Sequence, residues 1–290
     1  MTRHLHLRSV LRECAAWACL ASLGLLWPAS ARAQTGGLKL AISPLRVEFN
    51  LQPGASYTDA AHVANDGTMP VRLLATVNDW TITAAGSPEF LPPGAPAPDP
   101  FACAAWIRLS PDSFELAPGA MQRVRFTVQV PPGTPAMGCR AALLFTSAPP
   151  LVRPVGKQVL TRARLASILY IRVGHPEVAG GAADVSLTPA GSGAWAMSLV
   201  VRNQGRTYFR ANGQLTLLDA AGQVLAQAPL DSQIVLPGTA RRFTFPVTAS
   251  LAPGTYRLRA TVDVGEPALS RIEKSVVIGA APAASLAGKP

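Results

Sequence analysis

Residues 63–67 read Val-Ala-Asn-Asp-Gly, and residues 201–205 read Val-Arg-Asn-Gln-Gly. Two further pairs of segments match in the same order along the chain. They are Leu-Ala-Pro-Gly at 116–119 with Leu-Pro-Gly at 236–238, and Pro-Gly-Thr at both 132–134 and 253–255. Three correspondences in one order indicate an internal repeat. The chain is therefore predicted to hold two copies of one structural unit.

Between these turn signals, apolar and polar residues alternate with a period of two, which is typical of β-strands. Clear examples are Val-x-Phe-x-Val-x-Val at 124–130 and Tyr-x-Leu-x-Ala-x-Val at 256–262. Similar runs lie at 73–77, 141–145, 168–173, 198–201, 215–217, 243–247 and 275–278. The 24 Gly and 27 Pro argue against long helices. The sequence predicts an all-β protein of two tandem immunoglobulin-like β-sandwich domains.

Several polar and aromatic residues have predicted structural roles within this fold. Asn65 and Asn203 are expected to cap their own turns, with the following glycine at positive φ. Tyr256 lies where an immunoglobulin-like fold places its tyrosine corner, and the alternative is a half-buried strand aromatic. Trp80 and Trp106 are predicted core residues. If they are exposed instead, they would form an aromatic patch for glycan or peptide contact.

The N-terminal residues have the pattern of a secretory signal peptide. Arg3, Arg8 and Arg12 precede the apolar run 14–27, and Ala-Arg-Ala at 31–33 matches a cleavage site. A membrane anchor is the alternative, but 14 helical residues span only about 21 Å of an apolar layer about 30 Å thick. We therefore expect cleavage near Ala33, release into the periplasm and no stable membrane insertion.

Composition suggests where the domains begin and end. The first domain is predicted at 34–175 and the second at 183–279, joined by a linker within 174–183. Residues 85–102 contain six Pro and predict a long loop inside the first domain. The Ala-, Pro- and Gly-rich residues 280–290 predict a disordered tail.

Charge and motif content bear on the class of function. The formal charge is +10, and removal of residues 1–33 takes four Arg and one Glu, which leaves +7. Such a charge admits an anionic partner, but the arginines are scattered and predict a solvated surface rather than a nucleic-acid site. His62 and His175 stand alone, without a nucleophile elbow, a phosphate-binding loop or a zinc motif. The sequence predicts no enzyme activity, no metal and no cofactor.

Two cysteines, Cys103 and Cys139, lie outside the predicted signal peptide. In an exported protein, an even pair is most simply one disulfide. The bond would stabilise the fold by about 3–4 kcal/mol through loop closure. Two buried free thiols are the alternative.

From residue 40 to about residue 175, the order of motifs resembles the N-terminal domain of the PapD-like periplasmic chaperones of pilus assembly. The residues that carry the resemblance are Ile-Ser-Pro-Leu-Arg-Val-Glu-Phe at 42–49, residues 63–67, Pro-Val-Arg-Leu at 70–73, Asp-Trp at 79–80, Trp-Ile-Arg-Leu-Ser-Pro at 106–111, and Phe-Glu-Leu-Ala-Pro-Gly at 114–119 before Arg123 and Arg125. The second half shares with the family only the expectation of another immunoglobulin-like sandwich after a short linker.

The resemblance implies a binding mechanism. Members of the family add their last first-domain strand to a pilus subunit whose sandwich lacks a strand, which is a form of β-augmentation. The donor strand would be residues 157–173, with client-facing residues Val159, Thr161, Ala163 and Leu165. Two basic residues in the cleft hold the subunit's terminal carboxylate. Arg46 matches the first of them by position, and a rim arginine that covers apolar surface is the alternative.

The second basic residue of the family is expected near Ile168 or Leu169, where this chain has neither Lys nor Arg. Arg164 is the nearest replacement. The predicted partners are a pilin-like subunit with an incomplete sandwich and an outer-membrane usher. The missing residue keeps a second hypothesis open, a non-enzymatic structural or adhesive module of the cell surface or an appendage.

Overall fold

A computed structural model describes the protein over residues 38–83, 86–148, 162–191, 193–265 and 269–279. The predicted signal peptide (1–33), the predicted tail (280–290), Val159 and Thr161 lie outside these ranges. No helix in the described residues has the length and apolar character needed to cross a membrane.

The described residues fold almost entirely as strands, which confirms the all-β prediction. The one short helix among them is a 3₁₀ turn at Ala104–Trp106. The strands are β1 (Leu40–Ser43), β2 (Arg46–Leu51), β3 (Ser56–Asn65), β4 (Val71–Asn78), β5 (Trp80–Ile82), β6 (Pro88–Phe90), β7 (Ile107–Ser110), β8 (Ser113–Leu116), β9 (Met121–Gln129), β10 (Met137–Ser147), β11 (Arg164–Val173), β12 (Gly180–Pro189), β13 (Trp195–Asn203), β14 (Phe209–Leu218), β15 (Val224–Val235), β16 (Ala240–Val247), β17 (Gly254–Asp263) and β18 (Ser270–Ile278).

All the strands except β5 and β6, which form a two-stranded sheet of their own, belong to two pairs of sheets. The first sandwich has a four-stranded sheet, β1-β3-β9-β7, and a five-stranded sheet, β2-β11-β10-β4-β8. The second sandwich has a three-stranded sheet, β12-β13-β16, and a four-stranded sheet, β15-β14-β17-β18. The predicted architecture of two tandem sandwiches is therefore confirmed. The domain boundaries remain a prediction, because the contacts of the described residues place both sandwiches in one compact unit.

Each sandwich has its own core, built from the inward residues of its alternating strands. Phe126, Phe145 and Ile171 are fully buried between the sheets of the first sandwich. Leu199 and Leu215 are fully buried in the second. Burial of such side chains stabilises the fold by about 1.5–3 kcal/mol each. Because the alternation places the apolar side chains on one face of each strand, this energy is gained when the two sheets pack face to face.

The chain changes sheets near its start. Strand β1 pairs antiparallel with β3, whereas β2 pairs parallel with β11 in the opposite sheet. The crossing occurs at Pro44 and Leu45, between the two strands. Because of this crossing, β2 becomes the second neighbour of β11, and it pairs with β11 from Ile168 onward.

The internal repeat has the same hydrogen bonds in both copies. Asn65 and Asn203 are buried, and each side-chain amide donates to two backbone carbonyls while its Oδ1 accepts from the backbone N–H two residues later. The partners are Met69 O (2.8 Å), Leu116 O (3.0 Å) and Gly67 N (3.0 Å) for Asn65, and Thr207 O (2.8 Å), Val235 O (2.9 Å) and Gly205 N (3.0 Å) for Asn203. The predicted capping role of both asparagines is confirmed.

The predicted conformation of the glycine after each asparagine was wrong, because neither Gly67 nor Gly205 has positive φ. Positive φ falls instead on Gly119 (72°) and Gly238 (73°), in the Pro-Gly turns of the repeat. Gly205 is required for space, since a Cβ there would lie 2.6 Å from Ala179 N.

Other predicted features can be compared with the structure. Tyr256 donates its hydroxyl proton to Ala252 O at 2.7 Å, which confirms the tyrosine corner. The proline-rich loop is more ordered than predicted, because β6 within it pairs with β5. Trp80 is buried, although against the outward face of the five-stranded sheet rather than between the sheets. Trp106 packs against the first core, as predicted.

Candidate binding site at an open sheet edge and the adjacent cleft

Strand β11 has strands on both sides only along its second half. It pairs with β10 from Arg164 to Val173, whereas β2 pairs with it only from Ile168 onward. No described strand is added to the other side of residues 164–167. These residues therefore form a short open edge, called the β11 edge below.

Alternation of the hydrogen bonds identifies which backbone groups face this edge. Ser147 N donates to Ala163 O at 2.9 Å, so residue 163 faces β10. Ile168 N donates to Leu45 O at 2.9 Å, so residue 168 faces the opposite side. Because backbone direction alternates along a strand, Arg164 and Ala166 direct their N–H and C=O groups to the β11 edge. Unpaired groups in a row are a template for another strand.

The structure locates some of the predicted client-facing residues. Leu165 is half-buried and packs against the first core, and Ala163 N donates to Ser147 Oγ at 3.0 Å. Arg164 is exposed at the start of β11. Val159 and Thr161 lie outside the described residues, so their role remains a prediction.

Beside the β11 edge, aromatic side chains cover the outward face of the five-stranded sheet. The ring centroids of Tyr170 and Tyr208 are 4.6 Å apart, and those of Trp80 and Tyr170 are 5.9 Å apart. Since Tyr208 belongs to the second sandwich, this cluster joins the two sandwiches. Next to it lies a cavity of 300 Å³, called the cleft below, whose lining includes Trp80, Ile168, Tyr170, Arg210, Ile234 and Arg241.

One carboxylate beside the cleft is shared by two arginines. Glu48 Oε1 accepts from Arg210 Nη2 at 2.8 Å and lies 3.3 Å from Arg46 Nε. Two guanidinium groups on one carboxylate leave a net positive charge. The Arg46 side chain is 55% exposed, so it can contact a further anion, whereas Arg210 is 24% exposed. The group can thus bind a carboxylate with two charged donors.

Arg46 lies at the base of the β11 edge, because its Cα is in register with that of Ile168. Arg164 lies four residues away along β11, about 13 Å at roughly 3.3 Å per residue. The second cation beside Arg46 is instead Arg210, which comes from the second sandwich. Sequence reasoning missed it, because nothing local to Arg210 indicates that it lies near β2.

A further arginine lines the cleft. Arg241 Nη1 donates to Ile234 O at 2.8 Å, and its guanidinium lies 5.0 Å from the centroid of the Phe243 ring. Burial lowers the pKa of Arg241 from its usual value, although the group stays charged at neutral pH. The cleft is therefore both aromatic and cationic.

The tyrosine hydroxyls in the cluster remain protonated well above neutral pH. Burial raises the pKa of Tyr170 to about 12, and it raises the pKa of Tyr208 to about 12 as well. Arg210 lies 5.7 Å from the Tyr170 ring centroid and lowers the Tyr170 pKa in part. These hydroxyls are hydrogen-bond donors under physiological conditions.

A buried ion pair holds the proline-rich loop against the same sheet face. The Arg140 side chain is 1% exposed and binds both carboxylate oxygens of Asp99, at 3.1 Å and 2.6 Å. Arg140 Nε also donates to Trp80 O at 2.8 Å. We call Arg140 with Asp99 the loop clamp. It fixes Trp80 at the side of the cleft.

The predicted disulfide between Cys103 and Cys139 is present, which confirms that pairing. Cys139 directly precedes Arg140, and Cys103 N donates to Arg140 O at 3.2 Å. Close by, Ala104 N donates to Asp79 Oδ1 at 2.8 Å. The disulfide and the loop clamp therefore both attach the proline-rich loop to β10. The start of this loop borders the cleft.

The two histidines belong to different parts of the chain. His62 lies on β3 and His175 follows β11 in the connection between the sandwiches. In the part of the chain that the structure describes, no group of three or more His, Cys, Asp or Glu side chains is placed to hold a metal ion.

No protein-family model and no curated protein matches this chain. Among solved structures, it is similar to a chaperone–tip adhesin complex of CFA/I fimbriae, with 10% identity over 82% of this chain and 98% of that chain and a TM-score of 0.43. It is similar to the E. coli chaperone DraB, with 16% identity over 83% of this chain and 98% of that chain and a TM-score of 0.40. It is also similar to the CsuC–CsuE chaperone–tip adhesion subunit complex of Acinetobacter baumannii, with 14% identity over 81% of this chain and 97% of that chain and a TM-score of 0.42. At TM-scores below 0.5 the likeness is a general one, and the fold assignment rests on the sheets of this chain.

Proposed function

We propose that this protein is a periplasmic chaperone-like protein that binds a secreted subunit with an incomplete immunoglobulin-like sandwich and keeps it ready for assembly at the outer membrane. The client strand pairs with the β11 edge, and its terminal carboxylate binds beside Arg46. The role is binding rather than catalysis.

One observation carries the proposal: no described strand pairs with the N–H and C=O groups that Arg164 and Ala166 direct to the β11 edge, and the exposed Arg46 lies at the base of that edge. Exposed strand edges are usually shielded by charges, bulges or covering segments, because they pair readily with other strands. An open edge next to an aromatic, cationic cleft is suited to an extended peptide with a free carboxylate. The motif order that resembles the PapD-like chaperones adds independent support.

The cleft supplies the charge that the proposal needs. Glu48 forms an ion pair with both Arg46 and Arg210. When a client carboxylate binds Arg46, Glu48 keeps its contact with Arg210, and Arg46 gains a carboxylate of its own. In this proposal Arg210 supplies the second cationic group of the site, in the role the resemblance leads us to expect near Ile168.

A proline at position 166 tests the edge. Because Ala166 N–H faces the edge, Ala166→Pro removes a donor for the client and no bond to β10, and proline is tolerated at such edge positions. Ala166→Val is the matched control, since it retains the N–H. Each tagged protein is isolated from periplasmic extract of its own host, and the co-purifying proteins are quantified by mass spectrometry.

We expect the original protein and Ala166→Val to recover one small subunit at a one-to-one ratio, and Ala166→Pro to lose it while melting at a similar temperature. Equal recovery by Ala166→Pro would contradict edge pairing. Recovery of the protein only in surface polymers would instead favour the structural or adhesive module.

The carboxylate contact is tested by Arg46→Ala, with Arg108→Ala as the control. Arg108 is an exposed arginine on β7, in the opposite sheet. Loss of a charge-assisted contact predicts at least about tenfold weaker client binding for Arg46→Ala only. Unchanged client yield from Arg46→Ala, and from the double variant Thr161→Asp, Ala163→Asp, would refute the mechanism.

A further inference from the structure

Arginines that are separated in the sequence meet on the outward face of the four-stranded sheet. Arg123 and Arg125 are two residues apart on β9 and are both exposed, whereas Val124 between them is buried in the core. Arg108 on β7 is exposed as well, and it lies in register with Thr127, which belongs to the same alternate set as the two arginines of β9. We call the outward surface around these three arginines the arginine face.

The strands of this sheet contribute no acidic side chain to the arginine face. Asp59 is the one acidic residue within β1, β3, β7 and β9. It lies opposite Phe126, which is buried in the core, so it belongs to the inward set. In the part of the chain that the structure describes, none of the three arginines forms an ion pair. The charges of the arginine face are therefore uncompensated.

The second sandwich treats a similar pair of arginines differently. Arg257 and Arg259 are also two residues apart on one strand, β17, and Glu273 lies beside them on β18. The carboxylate oxygens of Glu273 lie 3.5 Å from Arg257 Nη1 and 2.8 Å from Arg259 Nε. An acid of the same chain compensates this pair, whereas the arginine face has no such acid among the described residues.

The side chains between the arginines are mostly short. The outward residues of the neighbouring strand β3 are Ser56, Thr58, Ala60, His62 and Ala64. Such short side chains leave the arginines standing above an open, uncharged surface. Met121, opposite Ala64 at one end of the face, is 66% exposed and adds an apolar contact.

We propose that the arginine face binds the surface of a bilayer that contains anionic phospholipids. A guanidinium group can donate two hydrogen bonds to one phosphate, and basic residues are attracted to a negatively charged bilayer surface. The Cα atoms of Arg123 and Arg125 are about 7 Å apart, and Arg108 is a diagonal neighbour of Arg125 at roughly 7–8 Å. An open sheet face with spaced arginines fits many phosphates in one plane, whereas a linear polyanion is typically bound along a groove.

The proposed contact is peripheral and separate from client binding. The aromatic cluster and the cleft lie on the outward face of the five-stranded sheet, on the other side of the first sandwich. A protein bound to a bilayer through the arginine face therefore directs the cleft away from the lipid. The inference stands or falls independently of the proposed chaperone role.

Sedimentation with vesicles tests the inference, with protein purified from periplasmic extract. One set of vesicles is phosphatidylcholine alone, and in the other set about a third of the lipid is phosphatidylglycerol, which gives a negative surface. We expect the protein to sediment only with the anionic vesicles and to be released as the salt concentration rises, because ions screen exposed charges. Equal sedimentation with both sets, or with neither, would overturn the inference.

Two double variants locate the contact. Arg123→Gln with Arg125→Gln is expected to weaken binding to the anionic vesicles by at least about tenfold. The matched control is Arg257→Gln with Arg259→Gln, which removes the same charge from the second sandwich and should bind within about twofold of the original protein. Equal weakening by the two double variants would show that only the total charge matters and would overturn the assignment to this face.

Two single variants separate lipid binding from client binding. Arg108→Ala should weaken vesicle binding about fivefold and leave client recovery unchanged. Arg46→Ala should have the reverse effect, with vesicle binding like that of the original protein. If Arg46→Ala weakened vesicle binding as much as Arg108→Ala, the lipid would bind at the cleft and the inference would be wrong.

A soluble polyanion is the other possible occupant of a basic surface. Retention of the protein on immobilised heparin without sedimentation with the anionic vesicles would assign the face to such a polymer and overturn the bilayer assignment. Melting temperatures check the folding of each variant. If the double variant of Arg123 and Arg125 does not fold, Arg108→Ala decides the result.

Discussion

The two sandwiches repeat one turn but differ at their edges and faces. Asn65 and Asn203 hold equivalent turns with equivalent hydrogen bonds. In the part of the chain that the structure describes, only the first sandwich has the β11 edge, the loop clamp and the disulfide. The shared residues stabilise the sandwich itself. The residues without a counterpart shape the surface that we propose for client binding.

The largest expected difference between the sandwiches is the effect of removing a carboxylate. Asp99→Ala leaves the buried Arg140 without its partner, and loss of one member of a buried pair costs about 3–5 kcal/mol of unfolding free energy. In the second sandwich, Asp184→Ala removes an exposed pair with Lys274 and should change stability by less than about 0.5 kcal/mol. Urea denaturation measures both, and similar losses would contradict a buried clamp.

The second effect tests the equivalence of the repeats. Asn65→Ala and Asn203→Ala each leave two backbone carbonyls without their amide donor, so each should lower the unfolding free energy by about 2–3 kcal/mol. The same denaturation measurement applies. If one substitution is costly and the other is neutral, the two turns are not equivalent in energy.

The third effect concerns the cluster that joins the sandwiches. Tyr170 and Tyr208 have pKa values of about 12 in the folded protein, against 10.0 as the ordinary value. The contribution of these two tyrosines to stability is therefore constant below pH 10 and falls as pH rises toward 12, because the unfolded chain loses these protons first. The expected loss is about 2 kcal/mol per tyrosine. Denaturation across this pH range should show a smaller decline for Tyr170→Phe, and an equal decline would contradict the assignment.

The smallest effect is specific to the second sandwich. Tyr256→Phe removes the hydroxyl that bonds Ala252 O and should lower its unfolding free energy by about 1 kcal/mol. Tyr57→Phe, at a residue that is 40% exposed in the first sandwich, serves as the comparison and should have little effect. A larger loss from Tyr57→Phe would reverse the expected order.

Local patterns predicted the strands, the repeat, the asparagine caps and the disulfide pairing, because these depend on alternation, turn chemistry and residue type. The pairs that shape the cleft depend on distant segments meeting. Glu48 and Arg210 are 162 residues apart, and Arg140 and Asp99 are 41 apart. One local signal was available: Arg140 stands inside an otherwise apolar run of β10, where a charged side chain needs a buried partner.

Amide hydrogen exchange, measured on the free protein and on its complex with the recovered subunit, tests strand addition at the β11 edge most directly. The N–H groups of Leu165 and Ser167 face β10 and should be protected in both states. Those of Arg164 and Ala166 should exchange rapidly in the free protein and become protected in the complex. Rapid exchange of Arg164 and Ala166 in the complex would contradict strand addition at this edge.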